Sequence, residues 1–226
     1  MPKRASHLWE QAVTDENCIS AVHDMLKGKR GRAIYAGLYA RTPTTCRKAV
    51  YRRMCKRVPI DRVAYYRANP EEIGRKVAVE LRSGTWTPHP YREKLIYDGI
   101  RGKVRCIRVP CLHDQVVHHA LMRVTAPEIL RRNDPHNCGS IPRAGQSRAV
   151  DMLRRWMGSD KPPKYALVTD VRKFYDSCPH DSVMAALRAI IKDRRLLLLH
   201  EQVLTSMGPG LAIGRASCRE RVSNCV

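Results

Sequence analysis

At 226 residues the chain is long enough to bury a sizeable core, as one large or two small domains. Its 42 Lys and Arg against 21 Asp and Glu give a formal charge of +21, which calls for a polyanionic partner, while 43% apolar residues exclude a disordered basic tail. No apolar run approaches the roughly 18 residues that span a bilayer, and Met1-Pro-Lys-Arg-Ala-Ser6 has no apolar stretch behind its basic residues. Neither a membrane partner nor a secretory signal is therefore expected, and the protein is read as cytoplasmic.

In chain order, Lys27 to Arg32 is a glycine-interrupted cationic loop, and Cys46 to Arg57 has the composition of a basic helix. The pair could track a phosphate backbone or face water as a solvated charge run. Asn69 to Leu81 predicts a helix, with Asn69 as its cap, Pro70 in the first turn, and Ile73, Val77 and Leu81 stacked at four-residue spacing. Ser83-Gly84-Thr-Trp-Thr-Pro88 ends it. Lys103-Val-Arg105-Cys-Ile107-Arg-Val109-Pro110 alternates basic and apolar residues and predicts a strand with one cationic face; Arg108, read as sharing the parity of Lys103 and Arg105, either joins that face or meets solvent. Asp114 to Leu121 has an apolar face at helical spacing, and Cys138 to Gly145 is a glycine-punctuated basic loop. Asp181 to Lys192 predicts a helix with Val183, Leu187 and Ile190–Ile191 on one face, followed by a second helix over Arg194 to Ser206 and a glycine loop over Gly208 to Gly214.

Tyr165-Ala-Leu-Val-Thr-Asp170 is an apolar run that ends in one carboxylate, with Phe174 and Tyr175 close behind. An Asp at the rim of a buried strand is a hard oxygen ligand where a divalent ion and a triphosphate can meet. The alternative is a strand-end Asp that caps the next helix. Nine cysteines, at 18, 46, 55, 106, 111, 138, 178, 218 and 225, contain no Cys-x-x-Cys pair, so reduced thiols scattered through the core are expected in place of a zinc cluster. His118, His119 and His180 suggest no ligand set. Asp114 and Arg143 read as scaffold residues that pair internally.

The order of these blocks, from the Lys103–Pro110 strand through the helix and the glycine loop to Asp170 with Phe174 and Tyr175, resembles the reverse transcriptases of bacterial and phage retroelements over roughly residues 60 to 214. The resemblance implies an α+β fold made of the fingers and part of the palm of a right-hand polymerase. Residues 1–90 would be a basic, mainly helical extension, 91–160 the fingers-like region, and 161–214 a partial palm. It implies RNA-directed DNA polymerase activity with Mg2+ as cofactor, and an RNA template, a DNA primer or product and deoxynucleoside triphosphates as partners. Arg105, with Lys103 beside it, would grip the triphosphate; the other reading of each is a solvated charge on the strand face. Asp170 and the backbone carbonyl of Val171 would be metal ligands, with Asp170 catalytic. Tyr175, with Phe174, would line the nucleotide pocket as the ring that rejects a ribose 2′ hydroxyl; the other reading of Tyr175 is a core aromatic. Gly210 and Gly214 would belong to the loop that meets template and nucleotide. The geometry expected from this is a mixed sheet over residues 91–214 with helices on one face, and Asp170 and Arg105 on a common cleft.

Two departures qualify the resemblance. Such polymerases carry a second, paired Asp motif after the glycine loop, and no Asp-Asp pair occurs in this sequence, so the chain is expected to be an inactive N-terminal portion. From Arg215 the pattern stops: Ile213 to Val222 is what ATC GGA AGA GCG TCG TGT AGG GAA AGA GTG encodes, a string that resembles a common sequencing adapter, and residues 215–226 are expected to be a non-native tail. The glycine loop also lacks the Gln-Gly start of group II intron and retron enzymes, which favours a diversity-generating or unassigned lineage. Two other readings stand beside the polymerase: a non-catalytic RNA-binding module, and an unrelated basic α+β enzyme with Asp170 as general base.

Overall fold

The computed structural model describes residues 3–29, 62–98, 103–139, 141, 144–171, 178–207 and 218–221; for residues 96–98, 103–105, 171 and 218–221 it describes the backbone alone. The fold is α+β with helices predominant. Thr14 starts helix α2 (Asp15–Leu26) by accepting from the Asn17 N–H at 3.1 Å, and Asp15 and Glu16 favour the same end through the helix dipole. Cys18, Ala21, Val22 and Met25 then form one buried stripe. That stripe packs on two other helices, α4 (Pro70–Ser83) and α5 (Leu112–Leu130).

Helix α4 runs as the sequence implies. Ile73, Val77 and Leu81 are buried, and Gly84 adopts φ 70° at the C-terminus, where its N–H meets the carbonyls of Glu80 and Leu81. Asn69 stands at the N-cap position, but its side chain donates to Tyr65 O at 2.9 Å, in the short helix α3 (Arg62–Ala68), and caps nothing. In α5, Val116, Val117, Ala120 and Leu121 complete the apolar contact.

The five-residue helix α1 (Leu8–Ala12) depends on a distant part of the chain. Asp193 accepts from the N–H groups of His7 at 3.2 Å and Leu8 at 2.7 Å, and Ala5 forms an isolated parallel bridge with Ile191. Asp193 itself precedes helix α8 (Arg194–Ser206), which follows helix α7 (His180–Ile190). The buried core is continuous from Leu8 to Leu199, so the three expected segments share it.

Strands β1 (Arg92–Asp98) and β2 (Lys103–Val109) form an antiparallel hairpin with Arg92 opposite Val109 and Asp98 opposite Lys103. Strand β3 (Val168–Val171) pairs antiparallel with β4 (Cys218–Arg221). These are two separate two-stranded sheets among the described residues, which corrects the expected mixed sheet over 91–214. Local pairing across a short connection satisfies the hairpin, and helices fill the core that a larger sheet would occupy. Helix α7, one of the helices that the expected mixed sheet would carry on one face, packs against α8, with Leu187 and Met184 turned into the helical core. Helix α6 (Gln146–Met157) buries only Met152 and leaves Leu153, Trp156 and Met157 exposed.

Candidate nucleotide and nucleic-acid site

The hairpin carries the residues expected to hold phosphate. The backbone of Lys103 and Arg105 lies in β2, opposite Asp98 and Ile96; their side chains are outside the described ones. Strand alternation gives Arg108 the opposite parity to Lys103 and Arg105, so it does not share their face, which corrects its assignment. Its guanidinium is committed elsewhere: Nη1 donates to Met207 O at 2.6 Å at the end of α8, and Nε lies 3.7 Å from Glu93. Arg108 thus fastens the hairpin to the helical body.

The segment 85–90, which leads into β1, meets the first turn of α5. Asp114, 1% exposed, is bonded on both carboxylate oxygens. Trp86 Nε1 donates to Oδ1 at 3.3 Å, the His89 backbone N–H donates to Oδ2 at 2.9 Å, and His89 Nδ1 lies 2.9 Å from Oδ1. Cys111 occupies the N-cap of α5, its sulfur accepting from the Asp114 N–H at 3.4 Å. Burial pushes the Cys111 thiol up, while the backbone donor at Asp114 pulls it down. His113 Nε2 meets Glu80 Oε2 at 2.6 Å, and its ring packs edge-on to that of His89, with centroids 6.0 Å apart. Asp114 is therefore a scaffold residue, as its place at the start of an apolar helix suggests. The sequence reading missed His89, because the partners of a residue in an irregular segment are set by tertiary structure; the signal at hand was the Cys111-x-x-Asp114 spacing across a helix start.

Asp170 is exposed on β3, with Arg219 opposite it in the register. Val171 follows, opposite Cys218. Magnesium takes hard oxygen ligands in near-octahedral arrangement, and a two-ion centre needs several carboxylates. Among the described residues Asp170 belongs to no group of three metal-ligating side chains, so the residues described do not make up such a centre. Phe174, Tyr175, Gly210, Gly214 and Arg143 lie outside the described residues, as does the helix expected over 46–57. Asp170 and Arg105 belong to different sheets.

Cationic side chains near the N-terminus gather in one concavity, where Lys3, Arg4, Arg123 and Arg131 surround Glu128. Several are paired: Arg123 with Asp24 and with Asn17 Oδ1 at 3.0 Å, and Arg131 with Glu128 at 2.5 Å. On α6, Arg154 and Arg155 are exposed alongside the uncovered apolar residues. Of the histidines assigned to no ligand set, His118 and His119 have their ring pKa lowered chiefly by burial. Of the described cysteines, Cys18 is a core thiol pushed up to about 12 by burial, whereas Cys106 is exposed and Cys111, Cys138 and Cys178 are half-buried, so the expectation of core thiols holds only for Cys18. No family model matches the chain, and no curated protein matches it.

Proposed function

We propose that this chain is the fingers and first palm segment of an RNA-directed DNA polymerase of the retroelement type, binding an RNA template, a DNA primer and deoxynucleoside triphosphates. The observation that carries the reading is the order of blocks along the sequence: a basic strand with Lys103 and Arg105, a helix begun at Asp114, a glycine loop, and an apolar run ending in Asp170 with Phe174 and Tyr175. The antiparallel hairpin at 92–109, continued directly into a long helix, supports it. The run that ends in Asp170, expected to be a buried strand, is instead exposed, Leu167 at 63% and Val168 at 64%. A guanidinium at Arg105 suits phosphate oxygens because it donates two parallel hydrogen bonds. Residues 215–226 are, in this reading, a non-native tail, and the strand facing β3 in a natural protein is a different one.

The second reading, a non-catalytic RNA-binding module, is favoured by two facts: a charge of +21 and a sequence without an Asp-Asp pair. Primer extension separates the two. The 226-residue chain is expected not to extend a DNA primer on RNA, since one Asp cannot hold two metal ions. A gene from the same source that continues in frame past Gly214 into a Tyr/Phe-x-Asp-Asp segment is expected to yield an active polymerase. In that protein Asp170→Ala abolishes extension with RNA binding kept, and Tyr175→Ala admits ribonucleotides. Extension by the 226-residue chain that survives Asp170→Ala would overturn the assignment, and a continuous natural gene lacking the second Asp motif would favour the binding module.

A further inference from the structure

We propose that His89, Cys111 and Asp114 bind one borderline-soft divalent ion, zinc by preference, which fastens segment 85–90 to the start of α5. The inference is independent of the polymerase reading. Each residue offers one ligand atom, an imidazole nitrogen, a sulfur and a carboxylate oxygen, and the three lie within 4.8 Å of one another. Zinc bonds of about 2.0–2.1 Å to nitrogen and about 2.3 Å to sulfur set tetrahedral ligand atoms roughly 3.3–3.6 Å apart, so small side-chain rotations close the site.

The donor set decides the class of ion. Magnesium and calcium select oxygen ligands, whereas a mixed nitrogen, sulfur and oxygen set suits zinc. Three protein ligands leave a fourth position, and His89, with its side chain 55% exposed, opens that position to water. The support behind the ligands is already built. Trp86 Nε1 and the His89 backbone N–H hold the Asp114 carboxylate, and the Asp114 N–H donates to the Cys111 sulfur. On binding, the ion replaces the contact between His89 Nδ1 and Asp114 Oδ1, the imidazole turns a lone pair to the ion, and the thiol proton leaves to solvent. Without an ion the same groups form a satisfied hydrogen-bonded cluster, and this is the alternative the experiment must distinguish.

The full chain, reduced and stripped of metal, is titrated with Co2+ and then with Zn2+, and its fold is followed by circular dichroism. One equivalent of Co2+ is expected to give sulfur-to-cobalt charge transfer and the visible bands of a tetrahedral centre, both erased by Zn2+. Cys111→Ser removes the charge-transfer band. His89→Ala, at a largely exposed position, weakens Co2+ binding by about 10-fold or more, and Trp86→Phe by about 10-fold with the band unchanged in position. A folded chain with no sulfur–cobalt band would overturn the proposal in favour of the hydrogen-bonded cluster. So would a band undiminished in Cys111→Ser, which would assign the metal to another of the nine cysteines, or an affinity unaltered by His89→Ala.

Discussion

His200 shows how a single buried side chain sets a pH limit on the whole chain. Its Nε2 lies 3.0 Å from Thr125 Oγ1, and burial lowers its pKa from 6.5 to about 4. The folded protein therefore keeps this ring neutral down to about pH 4, while the unfolded chain protonates it near 6.5. Between those values the unfolded state binds more protons, so stability is complete above pH 6.5 and falls as the pH drops toward 4. His118 and His119, also lowered by burial, add in the same direction. The His200 contribution is about 3 kcal/mol when fully lost. Urea melts at neutral and mildly acidic pH should show the decline, and His200→Gln should make it shallower by about that amount. A slope unchanged in the variant would assign the acid sensitivity to other groups.

Between elements, α4 comes close to α2 at Gly74. A Cβ built there would lie 2.5 Å from Ile19 Cγ1 and 2.6–2.7 Å from its backbone Cα and N. Backbone atoms do not swing aside, so the helices would have to part. Gly74→Ala gains about 1 kcal/mol of helix propensity, but the forced separation costs more, and a net loss of about 1–2 kcal/mol is expected in thermal or urea unfolding. A stabilised Gly74→Ala would show that the two helices have room to spare. At this scale much of the fold was legible: helix α8 runs over the predicted Arg194–Ser206, α4 buries the predicted Ile73, Val77 and Leu81, and β2 falls on the alternating stretch. Periodicity identifies which face of an element is buried, because it depends only on neighbours in sequence. It carries no information on what covers that face. The sheet pairing, the His89 contacts and the use of Asp193 to cap α1 across 185 residues were accordingly not legible. Of the candidate polymerase residues, the sequence placed Arg105 and Asp170 on strands, and they are on strands, but in separate sheets.

Across the whole molecule, charge governs what can be bound. A surplus of 21 positive charges is expected to produce nucleic-acid binding through phosphates with slight sequence preference. Filter binding or fluorescence anisotropy over a salt series should give a log–log slope of roughly −0.7 to −0.9 per phosphate neutralised. Affinity for RNA that is flat from low to moderate salt would count against a phosphate-tracking surface.

The junction between Ala5 and Ile191, with Asp193 over the start of α1, also bears on how the protein is made. Leu8 leaves the ribosome 185 residues ahead of the Asp193 carboxylate that its N–H requires. At about 5–20 residues per second the first helix waits roughly 10–40 s for that partner. During synthesis its apolar residues Leu8 and Ala12 lack the α8 side of their packing until that helix has been made. Closure of the core is therefore a late event in translation, set by the arrival of α7 and α8 and not by the speed at which the early helices form.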